Sequence, residues 1–113
     1  VSNSHIPLSL WIDAHLRRLN EIGQGYYIVQ KGDYDSRGLI VKISLLNGLC
    51  KVLTRIRDEN GELAWMNALK DETVAESEAD AYIRRAASRD SDLWVIEIED
   101  RNGANPFDGK III

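Results

Sequence analysis

A chain of 113 residues, 44% hydrophobic and 28% charged, has room for one core and no second, and its composition excludes a disordered chain. A net charge of -4 excludes a global field that would draw the protein onto nucleic acid or an anionic membrane, so any basic surface must be local. The single cysteine, Cys50, excludes an intramolecular disulfide framework and a multi-cysteine zinc site.

The opening Val1-Ser2-Asn3-Ser4-His5 lacks the basic and apolar regions of a signal peptide. No stretch approaches the roughly 20 apolar residues of a bilayer span, and a reducing cytoplasm is the expected compartment. Pro7 or Ser9 then opens a helix in which Leu8, Trp11, Ile12, His15, Leu16, Leu19 and Ile22 recur at three- and four-residue spacing. That face packs on a core, and the helix is expected to end near Gly23 or Gly25.

Tyr26 to Lys31 reads as a first strand, stopped by the turn formers of Gly32 to Gly38, and Leu39 to Leu46 as a second. Asn47-Gly48 carries the signal of a two-residue type I′ hairpin, so Leu49 to Arg57 returns as a third. After Asp58-Glu59-Asn60-Gly61, Glu62 to Leu69 comes back as a fourth, completing an antiparallel meander. Ser77-Glu78-Ala79-Asp80 has the form of a capping box. It opens a second helix whose apolar face is Ala79, Tyr82, Ile83, Ala86 and Ala87, ended by Asp90-Ser91-Asp92. Leu93 to Asp100 is the last strand and the most strongly patterned; Ile111-Ile112-Ile113 forms an apolar tail. No repeat, linker or low-complexity segment interrupts the single domain, residues 1–113.

Alternation then assigns faces. With the two-residue turn, Leu39, Val41, Ile43 and Leu45 share a side with Cys50, Val52, Thr54 and Ile56, and with Trp94, Ile96 and Ile98. The expected fold class is α+β, a single mainly antiparallel sheet of about five strands with two helices packed on one face, in the order α-β-β-β-β-α-β. The opposite face mixes Lys42, Lys51, Arg55 and Arg57 with Ile40, Leu46, Leu49 and Leu53. Such an apolar component on an open face points to association through it or a neighbouring edge, unless lysine and arginine stems cover it.

Three sets of residues bear on chemistry. Glu97 and Glu99 project from one side of the last strand, about 7 Å apart by strand rise, and with Asp100 form the weak catalytic candidates of a metal-dependent hydrolase. No histidine or lysine inside that motif completes such a site, and alternating glutamates also serve as the wet side of a strand. The basic set Lys42, Lys51, Arg55 and Arg57, with Lys31 and Arg37 nearby, is the candidate phosphate-binding face of a nucleic-acid binder. It lacks clearly interleaved aromatics, since some of Tyr26, Tyr27, Tyr34 and Trp65 belong to the core. Asp33 to Gly38 fails as a calcium loop, because Arg37 stands at the fifth position and Ser44, within a strand, takes the place of the bidentate glutamate. His5 and His15 form no ligand motif, and Cys50 reads as a small buried hydrophobe.

Leu10-Trp11, Leu16-Arg17-Arg18, Lys31-Gly32-Asp33 and above all Glu78 to Tyr82 followed by Asp90 to Arg101 resemble a small, chiefly alphaproteobacterial family catalogued as domain of unknown function 1491. The resemblance runs over nearly the whole chain, with a departure after Gly103. It implies a stand-alone cytoplasmic protein and brings no catalytic residues. The reading reached from sequence is a non-enzymatic protein-protein interaction module, a homodimer or partner-binding protein, with no cofactor, no metal and no membrane contact.

Overall fold

The computed structural model describes residues 6–112; His5 and Ile113 lie outside the described residues. The first helix, α1 (Leu8–Glu21), follows Pro7 and buries Leu8, Ile12, His15, Leu16 and Leu19, five of the residues its periodicity singles out. Full burial of each aliphatic side chain stabilises by about 1.5–3 kcal/mol. Its end is a Schellman motif: Gly23 N–H donates to Asn20 O at 3.2 Å and Gln24 N–H to Leu19 O at 2.9 Å. The motif needs a left-handed residue, which Gly23 supplies at φ 73°.

Among the described residues seven strands follow, with a second helix among them: β1 (Tyr26–Gln30), β2 (Leu39–Ser44), β3 (Leu49–Arg57), β4 (Leu63–Asn67), β5 (Val74–Ala75), α2 (Glu76–Arg89), β6 (Trp94–Glu99) and β7 (Lys110–Ile112). They form one sheet in the order β1-β6-β2-β3-β4-β7, with β5 beside β3. The fold is α+β and the sheet mixed but mostly antiparallel, as expected; β2/β6 and β4/β7 are the parallel pairs. The short strands β5 and β7 fall outside the five expected. The meander is also interrupted, because β6 inserts between β1 and β2 and makes six pairs with β2.

The expected placement of both helices on one face is corrected. Leu39, Val41 and Ile43 of β2 pack with α1, whereas Ile40 packs in a second cluster with Ala79 and Ile83 of α2. Every residue of β2 is buried, as a strand covered on both sides requires. The parallel β2/β6 pair needs a crossover, and the chain through β3, β4, β5 and α2 supplies it.

The face assigned to β3 is corrected as well. Ser44 pairs with Cys50 and Leu45 N–H donates to Leu49 O at 3.0 Å, leaving a loop of three residues, 46–48, instead of a two-residue turn. Left-handed backbone falls on Leu46 (φ 62°) and Gly48 (φ 88°). One extra loop residue flips every side chain of the returning strand. Leu53 therefore joins the α1 side, and Cys50 and Val52 lie under α2.

The capping box is not used. Helix α2 begins at Glu76, with Ala75 as a cap that makes no side-chain bond, and Glu76 N–H donates to Gly48 O at 3.0 Å. Ala75 is the last residue of β5, so the chain passes directly from strand to helix before Ser77 is reached. On the α1 side, residues 100–109 fold across the remaining sheet and insert Phe107 into the core.

Candidate functional site

The acidic strand end and the basic set meet in one place, at Lys42. This lysine lies on the α2 side of β2, paired across the parallel ladder with Glu97, and is 3% exposed. Its Nζ lies 2.9 Å from Glu76 Oε2, 2.8 Å from Asp80 Oδ1 and 3.3 Å from Glu97 Oε1. Glu76 and Asp80 are one helical turn apart on α2, so both reach the same point on the sheet. Burial alone would lower the Lys42 pKa, but hydrogen bonds to Asp80 and Glu76 and the charges of Glu97 and Asp80 outweigh it and raise the value above the ordinary lysine range. The ammonium is thus a permanent cation in a cage of three carboxylates. A lone lysine in the apolar run Leu39-Ile40-Val41-Lys42-Ile43 was the signal for it; Glu76 and Asp80 carried no comparable mark.

The other two weak catalytic candidates part company with Glu97. Glu99 is exposed beside Gly25, and Asp100 Oδ2 accepts the Ala104 N–H at 2.7 Å, closing the turn after β6. Among the described residues no group of three or more His, Cys, Asp or Glu is placed to hold a metal ion. Cys50 is fully buried, and burial pushes its thiol pKa up, with the Lys42 charge opposing.

The basic set is divided between faces. Lys42 lies under α2, while Lys51 and Arg55 pair with Ile43 and Trp65 on the α1 side, and Arg57 follows in the same alternation. Lys51 lies 3.4 Å from Glu72 and lines a cleft of about 190 Å³ with Leu53, Asn67, Asn105 and Ile111. Arg55 stacks on Trp11, its guanidinium carbon 4.4 Å from the ring centroid.

Trp11 belongs to an aromatic group that closes the α1 face. Its ring lies 4.0 Å from that of His15 and 5.9 Å from that of Phe107, and Phe107 lies 6.0 Å from Trp65. His15 Nδ1 is 2.7 Å from the Trp11 carbonyl oxygen, which can only accept, so Nδ1 carries the hydrogen. Nε2 is then free to accept, and the Asp108 N–H donates to it at 3.4 Å, while Arg18 reaches Asp108 Oδ1 at 3.4 Å. With Trp65 Nε1–H donating to Asp108 O at 2.9 Å, these contacts clamp the loop before β7 onto α1. Asp108 and Phe107 were not singled out by sequence, because their partners lie far off in the chain, Trp65 43 residues before Asp108 and Arg18 90 before it.

At the far edge of the sheet, β1 is paired, among the described residues, only with β6. It exposes Tyr27 (67%), Ile28 (38%) and Val29 (43%), and carries no charge between Tyr26 and Gln30. A bulge at Val29 interrupts its register with β6. Among the described residues no helix is long and apolar enough to cross a membrane.

Comparison with known proteins places this architecture. A crystal structure of a DUF1491 family protein from Caulobacter crescentus is 29% identical, with a TM-score of 0.82 over 96% of this chain and 100% of the other. An NMR structure of a DUF1491 family protein from the same organism is 29% identical, with a TM-score of 0.77 over 96% and 97%. A solution structure of a protein from A. tumefaciens shares the fold at 24% identity, with a TM-score of 0.65 over 83% and 85%. No match was found among curated proteins. The model of the family described as "Protein of unknown function (DUF1491)" matches residues 6–108, and the chain belongs to that family.

Proposed function

We propose that the protein is a small protein-protein interaction module that self-associates through β1. Two copies pair their β1 strands antiparallel about a two-fold axis, joining the sheets edge to edge. The observation that carries this reading is the uncharged, apolar edge itself, with Tyr27, Ile28 and Val29 exposed and the strand bonded, among the described residues, on one side only. Edge strands are ordinarily guarded by charge, proline or a covering element; here the bulge at Val29 is the guard, and it shortens the pairing rather than preventing it. A two-fold centred on Ile28 sets that residue against its own copy and Tyr27 against Val29, pairs of the apolar kind that stabilise a ladder. The opposite edge, β7, begins at Lys110, whose ammonium pairs with Asp58 at 2.7 Å.

The division of the basic set between faces leaves the nucleic-acid reading without a continuous surface, and the Lys42 cage occupies one of the three acids of the hydrolase reading. Light scattering over a concentration series tests the proposal. The wild type is expected to rise toward twice the monomer mass, while Val29→Lys stays monomeric with unchanged circular dichroism. A wild type that remains monomeric at the highest attainable concentration contradicts it.

A further inference from the structure

Among the described residues, the two cations besides Arg55 that are not exposed each face an acid. Lys42 has three carboxylates and Lys51 has Glu72. Arg55 has none among the described residues. Its guanidinium lies on the Trp11 ring, and its Nε is sealed from solvent with no hydrogen-bond partner. Arg57, two residues along the same face of β3 and about 7 Å away along the backbone by strand rise, adds a second positive charge that acts on Arg55. One of its nitrogens, Nη1, donates to Gly61 O at 3.0 Å.

The acid nearest in sequence does not relieve the pair. Asp58 Oδ1 accepts the N–H groups of Asn60 and Glu62, each at 2.9 Å, and Oδ2 faces Lys110. Burial, and then the charge of Arg57, push the Arg55 pKa down to about 10, so the fold holds this cation against its own electrostatics. A half-desolvated cation of that kind is stabilised by an anion. We infer that Arg55 and Arg57, beside Trp11, form a binding site for a small oxyanion, a phosphate monoester or a carboxylate. The guanidinium fork matches two oxygens of either group. Stacking on Trp11 fixes the plane of the Arg55 fork before the ligand arrives, and Arg57 supplies the second charge.

The test follows the arginine Nε–Hε resonances by NMR while inorganic phosphate and, separately, acetate are titrated at constant ionic strength, with chloride as the control. The Arg55 signal is expected to shift saturably with at least one of the two anions and not with chloride. Saturation with phosphate identifies the phosphate class, and saturation with acetate the carboxylate class. Arg55→Lys keeps the charge but loses the fork and the stacked plane, and should bind about tenfold or more weakly, with its folding checked by the dispersion of the remaining amide signals. Absence of a saturable shift with both anions, or an affinity unchanged in Arg55→Lys, overturns the inference.

Discussion

Lys42 is the residue whose environment departs furthest from what its type ordinarily accepts. A lysine buried to 3% exposure is tolerated because Glu76, Asp80 and Glu97 close on it within 3.3 Å; removal of the ammonium leaves three carboxylates facing one another. Lys42→Met should therefore destabilise the protein by about 2 kcal/mol in urea unfolding, below the usual range for a broken buried pair because Glu76 and Asp80 are themselves half exposed. The pH dependence has a definite sign. Folding raises the Lys42 pKa above its ordinary 10.5, so the folded state holds the proton more tightly than the unfolded chain. The stabilisation is complete below pH 10.5 and falls as pH rises toward the folded-state value. Unfolding free energies measured from neutral to alkaline pH should show this decline in the wild type and a smaller one in Lys42→Met. The Lys42–Glu97 contact was hidden from sequence because the register of a parallel pair 55 residues apart follows from the crossover, which no local pattern records.

At the scale of elements, local signals identified α1, α2 and the five longest strands, while their relations depended on details of single turns. Asn47-Gly48 marks a hairpin correctly, but the loop takes in Leu46 at φ 62°, and that one residue moves Cys50 and Val52 from the α1 side to the α2 side. The consecutive apolar residues Leu39-Ile40-Val41 of β2 and Trp94-Val95-Ile96 of β6, and the aliphatic residues left on the second face, were the legible evidence that both faces are covered. They fitted equally a surface kept for association. Two glycines separate conformational from steric demands. At Gly23 a Cβ would meet nothing within 4 Å, so Gly23→Ala should cost only the left-handed backbone penalty, about 1 kcal/mol. At Gly32 a Cβ would run into the Asp92 carbonyl oxygen and the Trp94 ring, where the chain crosses the start of β6. Gly32→Ala should cost about 3 kcal/mol, and thermal unfolding of the two variants should rank them in that order.

For the molecule as a whole, the double-sided core explains how a chain of 113 residues sustains so broad a sheet. Leu8, Ile12, Leu16 and Leu19 seal one face and Ala79 and Ile83 the other, so the interior strands are enclosed and the unfinished region is the β1 edge. That edge was legible only in part, since Tyr26 to Gln30 reads as a strand from composition but its position at the end of the sheet follows from β6 entering between β1 and β2. The reading as a self-associating module rests on that edge, and amide hydrogen exchange along Tyr26–Gln30 in dilute and concentrated solution tests it most directly. Pairing of two copies predicts that β1 amides not bonded to β6 become slower to exchange as concentration rises, with Val29→Lys abolishing the change. Exchange rates in β1 that are the same at both concentrations would contradict the account.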